Sequence, residues 1–328
     1  NAPQRKGPAR KPLDPARRVI ARKRGQVDAL DGADQPCGLP LLFHRAARCD
    51  RRSASIGGGE VDVDCVEPVW LKFDAIVAGG NALIQGASRG IGLEFARQCL
   101  TEPRIGHVVA TCRSPQDATG LADLAARHPG RLTVLPLDAT DEASIIAAAA
   151  AAARIAPRLH LVVNCAGVLH DAARGMKPEK RLADVRPESL ARAFAVNAIG
   201  PLLVARHFEP LLAHPERAVF ASLSARVGSI EDNRLGGWYA YRASKAAQNM
   251  YTRTLAVEWA RSRRNVICVA LHPGTTDTDL SRPFQANVPA GKLFDVGYAV
   301  AQMLRVIDRL QPADSGQFFA WDGERIPW

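Results

Sequence analysis

The strongest constraint on the fold is a glycine-rich turn between a short apolar strand and a helical segment. Residues Asn81–Gln85 are followed at once by Gly86-Ala-Ser-Arg-Gly-Ile-Gly92, and a helical pattern begins inside that run. Glycine lets the backbone turn sharply and approach a ligand, and a helix N-terminus offers free N–H groups to a phosphate. The turn therefore predicts a pyrophosphate-binding loop, with a ligand-free tight turn as the alternative. Its expected binding residues are Gly86, Ser88, Arg89, Gly90, Ile91 and Gly92.

From about residue 74 onward, short apolar runs alternate with helical patterns. The expected strands are Asn81–Gln85, His107–Thr111, Leu132–Leu137, Leu159–Asn164, Ala218–Leu223, Val266–Leu271 and Gln317–Trp321. Their consecutive apolar positions are typical of parallel strands that are covered on both faces. Helical patterns cover Gly90–Thr101, the alanine run Ala147–Ala153, a stretch opening at Pro187, Tyr241–Arg261 and Asp295–Arg309. The alternation predicts an α/β fold over residues 73–328: one Rossmann-like, doubly wound parallel sheet of about seven strands with helices on both faces.

The first 72 residues differ in composition from the rest of the chain. Residues 1–52 hold 13 of the Lys and Arg residues and 5 of the Asp and Glu residues, so most of the net charge of +10 lies there. The chain begins with Asn, and no methionine precedes Met176. Residues 1–72 are expected to be disordered or a non-native extension. A targeting arm or a nucleic-acid arm around residues 17–24 is the alternative.

Cysteine and histidine spacing gives no sign of a metal site or a disulfide framework. The seven cysteines are odd in number and form no Cys-x-x-Cys pair, and the eight histidines show no ligand spacing. Free thiols favour a reducing, cytoplasmic location. No apolar run reaches the roughly 18 residues typical of a membrane-spanning helix. The sequence therefore predicts no metal, no membrane partner and no nucleic-acid partner for the folded part.

A tyrosine and a lysine four residues apart are the clearest candidates for chemistry. Tyr241 and Lys245 fall on one face of a predicted helix, one turn apart. An ammonium beside a phenol favours the phenolate, so the tyrosine pKa is expected to fall toward the working range of a general acid. The spacing arises often by chance, and its position downstream of the glycine turn is what indicates hydride transfer.

The ends of the second and third strands bear on the cofactor. No acidic residue follows the second strand, where an NAD-selective enzyme places one against the ribose 2′-hydroxyl. Arg113 and Arg89 are instead expected to hold a 2′-phosphate, which favours NADP(H) over NAD(H). Two surface arginines are the alternative. Asp138 is expected to meet the adenine amino group, or else to cap the following helix.

Five motifs occur in an order that resembles the short-chain dehydrogenase/reductase family. They are Gly86-x-x-x-Gly90-x-Gly92, Asn164-Cys-Ala-Gly167, Asn197, Tyr241-x-x-x-Lys245 and Pro273-Gly-Thr-Thr-Asp-Thr278. Within the family the chain is most similar to the C-factor-type carbonyl reductases. The segments responsible are Arg226-Val-Gly-Ser-Ile230, Gly236-Gly-Trp-Tyr-Ala-Tyr241 and the ending Trp321-Asp-Gly-Glu-Arg-Ile-Pro-Trp328. The resemblance covers about residues 76–328.

The resemblance implies a role for each matching position. Tyr241 would be the general acid, and Lys245 would bind the nicotinamide ribose and lower the tyrosine pKa. Asn197 would hold a water that links Lys245 to solvent, or alternatively make a helix-packing hydrogen bond. The remaining positions would line the cofactor: Asn164, Ala166 and Gly167 along the ribose, and Pro273, Gly274 and Thr278 along the nicotinamide.

The chain departs from the family pattern at the serine that polarises the substrate carbonyl. The family has Ser-Ser, two residues and Gly after the fifth strand, whereas this chain has Ser222-Leu-Ser-Ala-Arg-Val-Gly228-Ser. Counting back from the glycine places Ala225 in the serine's position. Ser224 and Ser229 are therefore the two candidates, with Ser224 preferred.

Together these observations predict an NADP(H)-dependent oxidoreductase that reduces a ketone or aldehyde, with a small-molecule carbonyl substrate. The resemblance also implies a homodimer or homotetramer that pairs through two long helices. A nucleotide-binding signalling or redox-sensing protein of the same fold, with little turnover, is the alternative, and the displaced serine favours it. A nucleic-acid protein acting through residues 1–24 is a third reading.

Overall fold

A computed structural model describes residues 76–262 and 265–328. The expectation for residues 1–72 lies outside the described residues. The strands are β1 Gly80–Gln85, β2 Ile105–Cys112, β3 Leu132–Pro136, β4 Leu161–Asn164, β5 Ala218–Leu223, β6 Val266–His272, β7 Thr275–Thr276, β8 Leu293–Phe294 and β9 Phe318–Ala320. Seven of them form one parallel sheet in the order β3-β2-β1-β4-β5-β6-β9, while β7 and β8 pair separately. The predicted seven-stranded doubly wound sheet is confirmed.

Helices cover both faces of this sheet because neighbouring strand residues are apolar on each side. They are α1 Gly90–Thr101, α2 Thr119–Arg127, α3 Glu142–Ile155, α4 Pro187–Phe194, α5 Gly200–Leu212, α6 Tyr239–Arg261 and α7 Val296–Arg309. Ile84 of β1 packs in one core with α1, α2 and α7, whereas the preceding Leu83 packs in the other with α3, α5 and α6. This double-sided burial is what the unbroken apolar runs predicted.

A π-helical turn at Ala195–Ile199 joins α4 to α5. By length and composition the whole segment Pro187–Leu212 is apolar enough to cross a membrane. Its α5 part, however, buries Val204, Phe208 and Leu212 against the sheet, as the core helix of an α/β protein does. The π turn widens the helix at one point, and Asn197 lies at its centre, fully buried.

The strand order reverses between β1 and β4, which are neighbours in the middle of the sheet. In sheets of this kind the crevice at the carboxyl ends of the two central strands is the ligand-binding position. The glycine turn follows β1, and the segment Asn164–Gly167 leaves β4. The topology therefore brings two of the motifs found in the sequence to a single edge.

Candidate active site

The glycine turn after β1 packs tightly against the segment that leaves β4. Gly86 has a left-handed backbone (φ +79°), and a Cβ atom there would lie 2.7 Å from the backbone nitrogen of Ala166. A Cβ on Gly92 would overlap the carbonyl oxygen of Gly86. At Gly86 only glycine satisfies both the conformation and the space, and at Gly92 only glycine satisfies the space. The result is a tight backbone turn, the glycine cradle, of the kind that lets a dinucleotide pyrophosphate approach the chain closely.

The N-terminus of α1 opens into this cradle. Arg89 is its N-cap residue, with an extended backbone and no capping hydrogen bond from the side chain, and the first turn holds no acidic residue. Ser88 and Arg89 are exposed, while Ile91 is half-buried. A helix start of this kind presents unpaired N–H groups and a positive end to an anion.

The loop after β6 crosses over to the glycine turn. A Cβ atom built on Gly90 would lie 3.5 Å from the Thr278 side chain, so the two residues are close neighbours. The Arg89 guanidinium is 3.9 Å from the Asp279 carboxylate, and both side chains are at least half exposed, so this ion pair adds little stability. Pro273 and Gly274 begin the loop, with the Phe294 ring packed on Gly274. The glycine turn and the loop after β6 therefore face each other as the two sides of the expected cofactor groove.

Asp138 lies at the end of β3, on the side of the crevice where Arg113 follows β2. Its carboxylate accepts hydrogen bonds from the backbone N–H and the hydroxyl of Thr140, each 2.8 Å long. Although burial raises the pKa of Asp138, these bonds and the charge of Arg113 hold that pKa below its usual value. The expected alternative, that Asp138 caps the next helix, is wrong, because Asp141 caps α3 through the N–H of Ala143.

Asn164 ends β4 in the floor of the crevice. Its amide nitrogen donates to the Ser222 hydroxyl (3.2 Å), while its Oδ1 atom is buried without a partner among the described residues. The N–H of Ala166 donates to the Gln85 side chain (3.2 Å), and Gly167 is exposed beside it. Gln85 is a site residue that sequence reasoning missed, since a glutamine at a strand end carries no motif. The unpaired oxygen and the exposed glycine suit a bound ribose, so the residues present fit a nucleotide.

Three hydrogen bonds hold the Asn197 side chain in place at the π turn. Its Nδ2 atom donates to the Val168 carbonyl (2.8 Å) and to the Ser244 hydroxyl (3.0 Å), and its Oδ1 atom accepts from the Val168 N–H (2.7 Å). These bonds join α4–α5 to α6 and to the segment after β4. The packing alternative stated for Asn197 is thus present in the structure, and its water-holding role stays a prediction.

Tyr241 and Lys245 lie on one face of α6, as their spacing predicts. The ammonium Nζ is 5.9 Å from the centre of the tyrosine ring, and both residues are buried, 8% and 3% exposed. Nζ donates to the Leu223 carbonyl (2.6 Å) and to Oε1 of Gln248 (2.8 Å). Gln248, one turn further along α6, is a second residue that the sequence motifs did not indicate.

Burial dominates the titration of this pair. It raises the pKa of Tyr241 above its usual value, and it lowers the pKa of Lys245 to about 7. The expectation that Lys245 lowers the tyrosine pKa is wrong for this arrangement, because burial raises that pKa. The Lys245 ammonium donates instead to Leu223 and Gln248. A buried phenol with a raised pKa stays protonated near neutral pH. The group is therefore a proton donor rather than a phenolate.

The two candidate serines use their hydroxyls within the protein. Ser224 donates to Oδ1 of Asn249 (2.6 Å), and Ser229 donates to the carbonyl oxygen of Trp328 (3.3 Å); both serines are buried. Ala225, between them, is half-buried and extended (φ −146°, ψ 143°). A catalytic role for Ser224 or Ser229 stays a prediction, and in this arrangement a methyl group stands at the position counted back from Gly228.

An aromatic wall stands beside Tyr241. Trp238 precedes α6 with a left-handed backbone (φ 51°), after two glycines that are also left-handed. Its ring centre is 6.3 Å from that of Tyr241 and 5.0 Å from that of Phe284, in the loop after β6. A tryptophan in this conformation is strained, and its surroundings hold it there. The wall gives the substrate side of the site an apolar surface.

Comparison with known proteins identifies the family to which this fold and site belong. Residues 80–289 match the family model described as short chain dehydrogenase. The chain is similar to the C-signal of Myxococcus xanthus, 40% identical over 45% of this chain and 83% of that protein. It is 32% identical to the 1-hydroxy-2-glutathionyl-2-methyl-3-butene dehydrogenase of Rhodococcus sp. strain AD45, over 76% of this chain and 99% of that one.

Solved structures agree with these relatives. An NADPH-bound carbonyl reductase from chicken fatty liver superimposes with a TM-score of 0.69 and 32% identity, over 77% of this chain and 96% of that chain. A doubly wound sheet with a Tyr/Lys pair beside a glycine cradle defines an oxidoreductase of the Rossmann-like class. The chain belongs to the short chain dehydrogenase family, as its motifs predict, and is similar to carbonyl reductases.

Proposed function

We propose that this protein reduces a ketone or aldehyde to the alcohol with NADPH, with Tyr241 as the general acid. The observation that carries the proposal is the position of Tyr241 and Lys245, buried on one face of α6 beside Gly167 and the glycine cradle. When bound, the nicotinamide supplies the hydride. The protein must then orient the carbonyl and provide one proton.

The Tyr241 hydroxyl is the group suited to give that proton. Burial raises its pKa, so the phenol is fully protonated at neutral pH. The alkoxide that develops on the substrate is a stronger base than phenolate, and proton transfer from the phenol is therefore downhill. In its protonated form Lys245 places a positive charge 5.9 Å from the centre of the phenol ring, and a Cβ atom built on Gly167 would lie 3.9 Å from its Nζ. The Trp238 and Phe284 rings, whose centres are 5.0 Å apart, give the substrate side an apolar surface.

The preference for NADPH rests on charge at the adenosine end of the groove. Arg113 and Arg89 are both exposed there, and the turn after β2 holds no acidic side chain before Asp117. A guanidinium recognises a phosphate through two parallel hydrogen bonds. The NADPH in the chicken carbonyl reductase crystal structure supports the same preference.

The experiment is NADPH oxidation followed at 340 nm with a panel of aliphatic and aromatic ketones and aldehydes. Turnover is expected for the wild type and lost in Tyr241→Phe, while NADPH binding, measured by fluorescence titration, persists. Tyr251→Phe on the same helix is the matched control and keeps full activity. Turnover that survives in Tyr241→Phe would remove the basis of the mechanism.

A second candidate is a nucleotide-binding signalling or redox-sensing protein with little turnover. The observation in its favour is that the hydroxyls of Ser224 and Ser229 are bonded inside the protein, while the half-buried Ala225 offers no hydroxyl. Similarity to the C-signal of Myxococcus xanthus is in keeping with it. Under this alternative NADPH binds normally, the whole carbonyl panel gives no turnover, and Tyr241→Phe changes nothing measurable.

We also propose a homodimer or homotetramer in the cytoplasm. Apolar side chains are exposed on the long helices that the resemblance places at an interface, with Met250 64% exposed on α6 and Ile199 43% exposed at the π turn. The four described cysteines are free thiols, in keeping with a reducing compartment. Light scattering of the purified protein distinguishes a dimer or tetramer from a monomer.

A further inference from the structure

A buried glutamine next to Lys245 takes no part in the function proposed above. Gln248 is 2% exposed on α6. Its Oε1 accepts from the Lys245 Nζ (2.8 Å), and its Nε2 donates to the carbonyl of Leu223 (3.2 Å). The same carbonyl accepts from Nζ at 2.6 Å. We call these three groups the Lys245–Gln248–Leu223 triangle.

The triangle fixes which end of the amide faces the ammonium. The Leu223 carbonyl is an acceptor only, so it requires the NH₂ end of Gln248, and this leaves the oxygen end for Nζ. Flipping the amide would place a donor against the ammonium and an acceptor against a carbonyl. Gln248 is therefore locked with its oxygen toward Lys245, and the ammonium is held at the end of β5.

A buried ammonium is costly unless its donors are paired. Two of the three N–H bonds of Lys245 are paired within the triangle, which leaves one directed elsewhere in the site. Titratable groups face Nζ from two sides: Tyr241 on its own helix, and Cys165 in the segment after β4. The other neighbouring elements offer the neutral Leu223 carbonyl of β5 and the neutral Asn197 amide of the π turn. Among the residues that the structure describes, the hydrogen bonds that compensate this charge are those to Gln248 and Leu223.

We propose that Gln248 is a positioning residue for Lys245, which sets both where the ammonium lies and the pH at which it loses its proton. This inference rests on the proposed function, since it concerns the same site. Burial brings the Lys245 pKa to about 7, so the lysine is poised between its two forms near neutral pH. A hydrogen-bond acceptor at Nζ stabilises the ammonium form, so removing or charging that acceptor shifts the pH at which Lys245 loses its proton.

Two substitutions at this position test the idea in opposite directions. Gln248→Leu removes the acceptor and is expected to lower the pH at which Lys245 deprotonates by about one unit, the equivalent of one net hydrogen bond. Gln248→Glu keeps the shape and adds a negative charge, which raises that pH. The alkaline limb of kcat/KM for NADPH-dependent reduction should follow each shift, with kcat at the optimum changed less than the KM for NADPH.

The protonation of Lys245 is also measured directly, without catalytic turnover. Protein labelled with ¹³C at lysine Cε is titrated by NMR in the absence of cofactor, and the Lys245 signal is assigned by its loss in Lys245→Met. Thr252→Val is the matched control, because Thr252 bonds the Gln248 carbonyl (3.0 Å) and not Lys245. It should leave the titration unchanged.

The expected result is a Lys245 midpoint that moves down in the leucine variant and up in the glutamate variant. The same midpoint in both variants, or shifts in one direction only, would overturn the inference. If the leucine variant does not fold, the isosteric glutamate variant decides it alone, because an unmoved or lowered Lys245 midpoint in that variant would overturn the inference. If the midpoints move as expected while no carbonyl is reduced, the proposed function fails and the positioning role stands.

Discussion

Ala225→Ser adds a hydroxyl at the position from which the family pattern polarises the substrate carbonyl. The backbone at Ala225 is extended (φ −146°, ψ 143°), which serine adopts without strain, and the residue is half-buried. A hydrogen-bond donor that meets the developing oxyanion contributes about 3 kcal/mol to the transition state, or roughly a hundredfold in rate. A serine hydroxyl that no second hydrogen bond orients contributes less than this to the stabilisation of the transition state.

We therefore expect kcat to rise by about ten- to a hundredfold, with the KM for the carbonyl changed by less than about threefold. The assay is steady-state NADPH oxidation with the best carbonyl of the panel. Unchanged or reduced kcat in a correctly folded Ala225→Ser would refute the reasoning, since it would mean that another donor already fills this role.

Serine replacements complete the test of the two sequence candidates. Ser224→Ala removes the 2.6 Å bond to Asn249 and is expected to cost about 1–3 kcal/mol of unfolding free energy. Because this bond holds the hydroxyl inside the protein, kcat is expected to stay unchanged, contrary to the catalytic role that the sequence favours for Ser224. Ser229→Ala should likewise affect stability only, because its hydroxyl bonds Trp328 and the N–H of Asp232. A collapse of kcat in either variant, with folding intact by circular dichroism, would identify that serine as the polarising group.

Three further predictions concern binding and stability. Gly86→Val forces a left-handed valine against Ala166, and the Kd for NADPH measured by fluorescence should rise by roughly ten- to a hundredfold; an unchanged Kd would show that the cradle does not hold the nucleotide. Arg113→Ala should raise the KM for NADPH about tenfold or more and leave that for NADH unchanged, with the exposed Arg127→Ala as control; equal effects on both cofactors would contradict a 2′-phosphate contact. Burial, with the nearby charge of Arg226, lowers the pKa of His272 to about 4. The unfolded state then binds the proton first, so stability is full above about pH 6.5 and falls by up to about 3 kcal/mol as the pH drops toward 4. Urea unfolding at pH 7 and pH 4.5 should show a smaller loss in His272→Gln than in the wild type, and equal losses would count against this histidine.

The sheet was predictable because its signals are local. Apolar residues at consecutive positions, such as Leu83 and Ile84, indicate burial on both faces, and the structure places these two in opposite cores. The helix Thr119–Arg127 was missed, since it is short and only Leu121 and Leu124 are buried along it. A pattern of two apolar positions does not distinguish such a helix from a loop.

The electrostatics of the site could not be predicted from spacing alone. The four-residue interval correctly placed Tyr241 and Lys245 on one face, but it carries no information on burial, which dominates both pKa values. The direction of Nζ depends on the Leu223 carbonyl, 22 residues earlier in the chain. Likewise, Ser224 is turned inward by Asn249, 25 residues later. Tertiary hydrogen bonds of this kind have no local signature.

The aromatic wall is an intermediate case. Two glycines before Trp238 are a sequence signal for an unusual backbone, and all three residues are left-handed in the structure. The sequence did not show that the Trp238 ring would meet Phe284, because the two lie on different loops. The sequence therefore indicated an unusual backbone before Trp238, but it did not indicate that the Trp238 ring would line the substrate side of the site.

The most direct test of hydride transfer at this site follows the hydride itself. NADPH that carries deuterium at either of the two C4 positions is oxidised by the protein in the presence of a carbonyl, and the alcohol is weighed by mass spectrometry. The account predicts that one of the two labelled cofactors, and only one, gives an alcohol one mass unit heavier. An alcohol without label from both cofactors, or label scrambled equally between them, would contradict a carbonyl held in one orientation beside Tyr241.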